Sequence, residues 1–149
     1  MQLHWHWLRF ADLGVDHLYD ALALRSRVFI LEQGPYLDPD GVDRDSWHLL
    51  GRDDAGTLQA YLRVVDPGVK YEEPSIGRVI TSPETRGSGL GHGLVAEGVA
   101  RCVAAWPGRG IRISAQAHLE RFYGRHGFVR VGENYGEDNI PHCQMWRAP

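Results

Sequence analysis

The apolar positions along the chain change period several times, and each change marks an element. Residues 3–10 alternate loosely and are rich in aromatics, which predicts a first strand. Asp16 is placed to cap a helix carrying Leu18 and Leu22 on one face. The stripe then shifts to Leu24, Val28 and Leu31, so the spacing predicts two short helices or one with a bend, ended by Gly34-Pro35. Residues 47–51 and 57–65 predict a hairpin turning at Asp53-Asp54-Ala55-Gly56. Residues 75–81 predict another strand, stopped by Pro83. Leu90, Leu94, Val95, Val99, Cys102, Val103 and Trp106 recur at helical spacing, up to Pro107-Gly108. A short strand is expected at 111–115, a helix at 118–125 closed by Gly127, and two last strands at 128–131 and 143–146. Helices interleaved with adjacent hairpin strands predict an α/β chain of α+β character. It is a mixed, mostly antiparallel sheet flanked by helices, in a single domain over 1–149.

Composition narrows the function classes. The chain has 149 residues, enough for one hydrophobic core, and is 43% apolar and 23% charged. Its formal net charge is −3 and its basic residues are scattered, which argues against nucleic acid as a partner. Cys102 and Cys143 form no C-x-x-C pair, and Cys102 falls on an apolar helical stripe, where it reads as a small core residue. No stretch approaches the roughly 18 apolar residues of a membrane span, and the first residues do not read as an export signal. The expectation is a cytoplasmic protein with no membrane partner.

The most informative segment joins the strand at Val79-Ile80-Thr81 to a glycine-rich helix start, Arg86-Gly87-Ser88-Gly89-Leu90-Gly91. The first N–H groups of a helix lack internal partners and carry a partial positive charge. Glycines let that backbone approach a large anion, so the turn is a candidate phosphate cradle, and Arg86 adds a fixed charge. A P-loop requires Lys-Ser/Thr after its last glycine, but His92-Gly93 follow Gly91. Neither glycine frame completes G-x-G-x-x-G, which removes the dinucleotide fingerprint. The pattern R-x-x-G-x-G fits Arg86, Gly89 and Gly91 directly. A turn that merely joins strand to helix is the plain alternative.

That pattern resembles the pyrophosphate-binding turn of GNAT N-acetyltransferases. A second segment, Phe122-Tyr123-Gly124-Arg125-His126-Gly127-Phe128, resembles the aromatic pair and Gly-Phe of the same family, in the expected order. The ElaA-like branch is the nearest resemblance. It is carried by Val28-Phe29-Ile30-Leu31-Glu32-Gln33, Ile76-Gly77-Arg78-Val79-Ile80, Ala115-Gln116-Ala117-His118-Leu119 and Glu137-Asp138-Asn139-Ile140-Pro141-His142. The chain departs from that branch at Gly34, where cysteine is common, at Asn139 for glycine, and at His126 for a second aromatic.

The resemblance implies the GNAT fold, acetyl-coenzyme A as donor and direct acetyl transfer to an amine, on a small molecule or a protein. A homodimer is compatible with it. The backbone of Val79, Ile80 and Thr81 is expected to hold the pantetheine arm, and the turn from Arg86 through Gly87, Ser88, Gly89, Leu90 and Gly91 its pyrophosphate. Gln116 is expected to contact the cofactor and Tyr123 to protonate the departing sulfur. Gln33, Tyr36, Asp138 and His142 are the candidates for the acceptor pocket, with Asp138 placed to orient His142 or to bind a cation. The plain alternatives are packing for Tyr123, Gln33 and Tyr36, and a hydrogen-bonded turn for Asp138 and His142. A lysine-like amine is only about 0.04% neutral at pH 7, a cost of about 4.6 kcal/mol, so the reaction benefits from a base or a desolvating pocket.

Two further patterns are set aside. Asp38-x-Asp40-Gly41-x-Asp43 lacks the glycine and glutamate positions of a calcium loop and is expected to be a solvated loop. His4, His6 and the other histidines lack metal-site spacing. The competing function is a catalytically silent module of the same fold that binds acyl-CoA as a sensor or partner.

Overall fold

The computed structural model describes residues 1–149. Seven strands form two antiparallel sheets. The first has the order β1-β2-β3-β4, from β1 (His4–Arg9), β2 (Ser46–Arg52), β3 (Leu58–Val65) and β4 (Ser75–Thr81). The second has the order β5-β7-β6, from β5 (Ile111–Gln116), β6 (Phe128–Glu137) and β7 (Ile140–Arg147). Three α-helices complete the fold: α1 (Gly14–Arg25), α2 (Leu90–Ala105) and α3 (Glu120–Gly124). The predicted element order is therefore the observed one.

Strand β3 lies at the centre because both its faces are apolar. Ala60, Leu62 and Val64 pack with Leu94, Val95, Val99 and Cys102 of α2, as Cys102 was expected to do. Leu58 and Tyr61 pack with Ala21 and Leu24 of α1. Gly98 makes the α2 contact close: a Cβ there would meet Leu62 Cδ2 at 2.7 Å. Overpacking of this kind costs about 1–3 kcal/mol.

Several boundaries differ from the sequence reading, each for a local reason. Helix α1 begins two residues before Asp16, so Asp16 lies in the first turn and caps nothing with its side chain. The shifted stripe is a π-helical segment, Ser26–Ile30, which rotates the apolar face so that Val28 and Phe29 stay buried. Leu31 falls beyond it and is 80% exposed, and Val103 of α2 is also exposed. The turn Ala117–Leu119 is 3-10, and α3 starts only at Glu120. The last hairpin is longer at its turn end than its apolar residues suggest. β6 is an edge strand whose middle faces solvent, so it needs no apolar alternation. Asp138 and Asn139, both at positive φ, close it as a two-residue turn.

Candidate active site

The two sheets meet at β4 and β5 and then part. One backbone hydrogen bond, from the Arg112 N–H to the Pro74 carbonyl at 3.1 Å, ties the start of β5 to the residue before β4. Beyond it the strands belong to separate sheets, which leaves the free edge of β4 facing a cleft with about 870 Å³ of empty space, partly open to solvent. Val79, Gln116, Tyr123, Gln33, Tyr36, Asp138 and His142 all line this cleft, drawn from five separate stretches of sequence.

The floor of the cleft contains a break in β4. Between the Tyr61–Ile80 and Arg63–Gly77 pairs the register shifts, and Arg78 takes a φ of 51°. Left-handed backbone is uncommon for a residue with a side chain, and the surrounding contacts must hold it. They do so through Arg78 Nε, which donates to Asp38 Oδ1 at 2.9 Å, and Nη2, which donates to the Asp38 carbonyl at 3.0 Å. The guanidinium also lies 5.9 Å from the ring centres of both Phe29 and Tyr36.

Thr81 leads into the glycine turn. The turn is braced by Ser82 Oγ donating to Gln59 Oε1, by Thr85 Oγ1 donating to the Ser82 carbonyl, and by Ser88 Oγ donating to the Thr85 carbonyl. Gly87 and Gly89 have φ of 81° and 82°, and an added Cβ at either would meet nothing within 4 Å. Their N–H groups have no acceptor in the protein, whereas the Ser88 N–H is spent on the Thr85 carbonyl. Open space above free amides at the start of a 16-residue helix suits a pyrophosphate, so the turn fits coenzyme A. The Arg86 side chain reaches across to Glu32, and that hydrogen bond holds the Glu32 carboxyl below the usual range. Ile80 is buried in the core, so only its backbone can serve a ligand.

Tyr123 sits at the base of the cleft, 8% exposed, its ring edge-on to Phe122 and Phe128. Burial raises its pKa, so the phenol stays protonated, and its hydroxyl makes no hydrogen bond within the protein. The hydroxyl is not sealed in the core: the fully buried side-chain polar atom without a partner is Arg63 Nε, and Tyr123 lines the cleft. Gln116 Nε2 donates to Gln33 Oε1 at 3.3 Å, joining a residue expected on the cofactor side to one expected on the acceptor side. The His142 Nδ1–H donates to the Ile140 carbonyl at 2.7 Å, so the lone pair of the neutral ring is at Nε2. That nitrogen lies 3.3 Å from Glu137 Oε2. The carboxylate beside His142 is therefore Glu137 and not Asp138, which is exposed in the turn.

The loop at 38–43 corrects a second expectation. It is solvated only in part: residues 39–41 are exposed, but Asp38 is 3% exposed and Asp43 7%. Arg25 donates to Asp38 at 2.8 Å and to Asp43 at 2.8 Å. Arg63 grips Asp40 with both terminal nitrogens, at 2.8 and 2.6 Å, and reaches Asp43 at 3.0 Å. Burial alone would raise the Asp43 pKa, but the hydrogen bonds and charges of Arg25 and Arg63 outweigh it and hold the carboxyl low. Arg63, Lys70, Arg78 and Glu137, which have no role among the sequence-based expectations, also line the cleft. The available signal was Arg63, a charge inside the otherwise apolar strand Ala60-Tyr61-Leu62-Arg63-Val64-Val65, where it demands a buried partner.

Comparison with known proteins agrees with this geometry. Residues 48–148 match the family described as acetyltransferase (GNAT) domain. A UPF0039 protein of Synechocystis is 44% identical over 151 residues, covering 100% of this chain and 98% of that protein. The crystal structure of an acyl-CoA N-acyltransferase from Pseudomonas aeruginosa superposes with a TM-score of 0.93 at 45% identity, over 99% of this chain and 100% of that one. The crystal structure of Escherichia coli ElaA gives 0.91 at 40% identity, over 98% and 99%. With its fold, its split sheet and its glycine turn, the chain belongs to the GNAT acetyltransferase family, in the branch that includes ElaA.

Proposed function

We propose that the protein transfers an acetyl group from acetyl-CoA directly to an amine bound in the cleft. The observation that carries this reading is the unpartnered hydroxyl of buried Tyr123 in the opening between β4 and β5. Acetyl-CoA supplies the activated acyl group as a thioester. The free amides of Gly87 and Gly89 bind its pyrophosphate, and the unpaired edge of β4 from Val79 to Thr81 aligns its arm. A backbone N–H at the β4 break stabilises the developing oxyanion. Nε2 of His142, beside Glu137, takes the proton that the amine loses. Tyr123, kept protonated by burial, gives its proton to the departing sulfur. Gln33, Tyr36 and Asp138 flank the acceptor.

The test is thiol release from acetyl-CoA with a panel of amines, in wild type and Tyr123→Phe. The substitution removes the hydroxyl and keeps the ring's packing. On an amine that wild type uses, kcat is expected to fall by about 10²–10⁴ with acetyl-CoA affinity little changed. A folded variant with wild-type kcat, measured where chemistry limits the rate, removes Tyr123 from the mechanism. CoA binding with no turnover on any amine replaces the enzyme reading with the acyl-CoA sensor.

A further inference from the structure

The chain contains one lysine, Lys70, and the fold places it on the lining of the acceptor cleft. All the other strongly basic side chains are arginines, whose guanidinium stays protonated and cannot accept an acyl group. The only other primary amine is the N-terminus. It precedes β1, at the edge of the first sheet opposite β4 and the cleft. A protein that proposedly acylates amines thus carries its sole side-chain amine inside its own candidate acceptor site.

The setting of Lys70 suits a nucleophile better than a structural cation. It lies in the connection between β3 and β4, whose backbone is held by the Gly68 N–H to Tyr71 carbonyl bond at 2.7 Å and the Val69 N–H to Asp66 carbonyl bond at 3.3 Å. Its side chain is exposed, and Nζ lies 5.9 Å from the centre of the Tyr71 ring and forms no ion pair that would fix it. The lining carboxylate that attracts it most is Glu137, and Arg63 and Arg78 oppose its positive charge. Although exposed by area, the ammonium is crowded by the cleft mouth. That desolvation, with the two guanidiniums, outweighs the carboxylates of Glu137 and Asp40 and lowers its pKa from the ordinary lysine value. More of it is neutral as a result.

Building on the proposed acetyl transfer, we propose that Lys70 is a modification site, acetylated on Nζ by the active site of its own chain when no free amine occupies the cleft. Neutral Nζ attacks the acetyl carbonyl carbon. The N–C bond forms and the C–S bond breaks, and the sulfur leaves with the bonding electrons and takes one proton. The second proton of the original ammonium passes to solvent by way of the base. The products are an ε-N-acetyl-lysine, free CoA thiol and one proton. Because the acetylated side chain cannot leave, the reaction stops after one transfer per chain, and it removes a positive charge beside Glu137.

The experiment is mass spectrometry of the whole protein after incubation with acetyl-CoA and no other amine. The expected result is one acetyl group per chain, on the peptide containing Lys70, with one equivalent of thiol released and a rate independent of protein concentration. Lys70→Arg, shown to fold and bind CoA, should gain none there. Acetyl on the N-terminus alone overturns the proposal. So does a rate that rises with protein concentration, or equal labelling of Lys70 in a folded Gly89→Val protein that no longer binds acetyl-CoA. A second readout needs no cofactor: in the CoA-free protein, Lys70 should react with a small active ester faster than in the urea-unfolded chain. An equal or slower rate overturns the claim that the cleft prepares this amine. If wild type acetylates free amines but leaves Lys70 unmodified, this proposal fails alone. If it neither binds CoA nor uses any amine, the parent reading fails.

Discussion

The glycine turn and the loop at 38–43 sit on either side of the β4 break and solve opposite electrostatic problems. The turn offers backbone donors, the N–H groups of Gly87 and Gly89, which have no acceptor in the protein. The loop buries two carboxylates, Asp38 and Asp43, leaves Asp40 at the surface, and pairs all three with Arg25, Arg63 and Arg78. One region stores binding capacity; the other spends its charges on holding geometry. A site made from backbone needs a few neighbouring residues, whereas a neutral buried network must draw its members from α1, the loop, β3 and β4. Arg78 ties the network to β4, since its guanidinium closes the network and its backbone forms the break.

The largest expected effect comes from breaking the network. Asp43→Ala leaves Arg25 and Arg63 each short of a counter-charge in a buried setting, which should destabilise the fold by about 3–5 kcal/mol in urea unfolding. CoA affinity of the fraction that remains folded should change little, because the turn contacts none of these groups. An Asp43→Ala protein as stable as wild type would show that the carboxylate is an ornament of the loop. A stable variant with lost CoA affinity would join the two regions that the geometry separates.

Breaking the turn should do the reverse. At about 100 times its Kd, CoA should stabilise wild type by about 2.7 kcal/mol, and NAD and ATP by much less. Gly89→Val places a β-branched side chain at a φ of 82°, which costs the fold about 1–2 kcal/mol and fills the space above the amides. The folded variant should lose the whole CoA-dependent shift. Retention of that shift would take the pyrophosphate away from this turn, and greater stabilisation by ATP than by CoA would overturn the cofactor.

The same contrast explains what was legible in the sequence. Arg86 to Gly91 stands out in the sequence because glycines at fixed spacing between a strand and a helix form a local pattern, and the structure places them in a turn with free amides. Tyr123, Gln116, Gln33, Tyr36 and His142 could be gathered only through family resemblance, and the structure brings them to one cleft. Only the Arg63 end of the network left a signal in the sequence; its carboxylates did not, because nothing local distinguishes a buried aspartate from a solvated one. Asp38-x-Asp40-Gly41-x-Asp43 looks hydrophilic, and its partners lie on other elements, as far away as Arg78. The π segment was visible as a shifted stripe, but a shift has several backbone solutions. The turn end of β6 was invisible because an exposed edge strand needs no period.

The smallest expected effect is a pH dependence of stability that belongs to the network alone. His48 is buried, with Nε2 at 2.9 Å from the Asp43 carbonyl and Nδ1 at 2.7 Å from the Tyr61 hydroxyl. A carbonyl only accepts, so Nε2 carries the hydrogen and Nδ1 accepts from Tyr61. That hydroxyl in turn receives a hydrogen bond from Arg25 at 3.4 Å. A proton on Nδ1 would set two donors against each other there. Burial, opposed by the Asp43 contacts, lowers the His48 pKa below its ordinary 6.5. The unfolded chain therefore takes up a proton as pH falls through about 6.5, while the folded chain resists until lower pH. The contribution of His48 is fully present above that value and declines below it. Asp40 and Asp43 follow in the range below 3.8, since both carboxyls are held low in the fold. His17 and His126 are also lowered and add to the first decline, so the wild-type slope alone does not isolate His48. The difference between wild type and His48→Gln does. Urea midpoints measured from about pH 7.5 to pH 5 should fall less steeply for the variant, even though it is less stable throughout. Parallel curves would mean that folded His48 takes up a proton as readily as in the unfolded chain, so that its buried partners do not resist protonation.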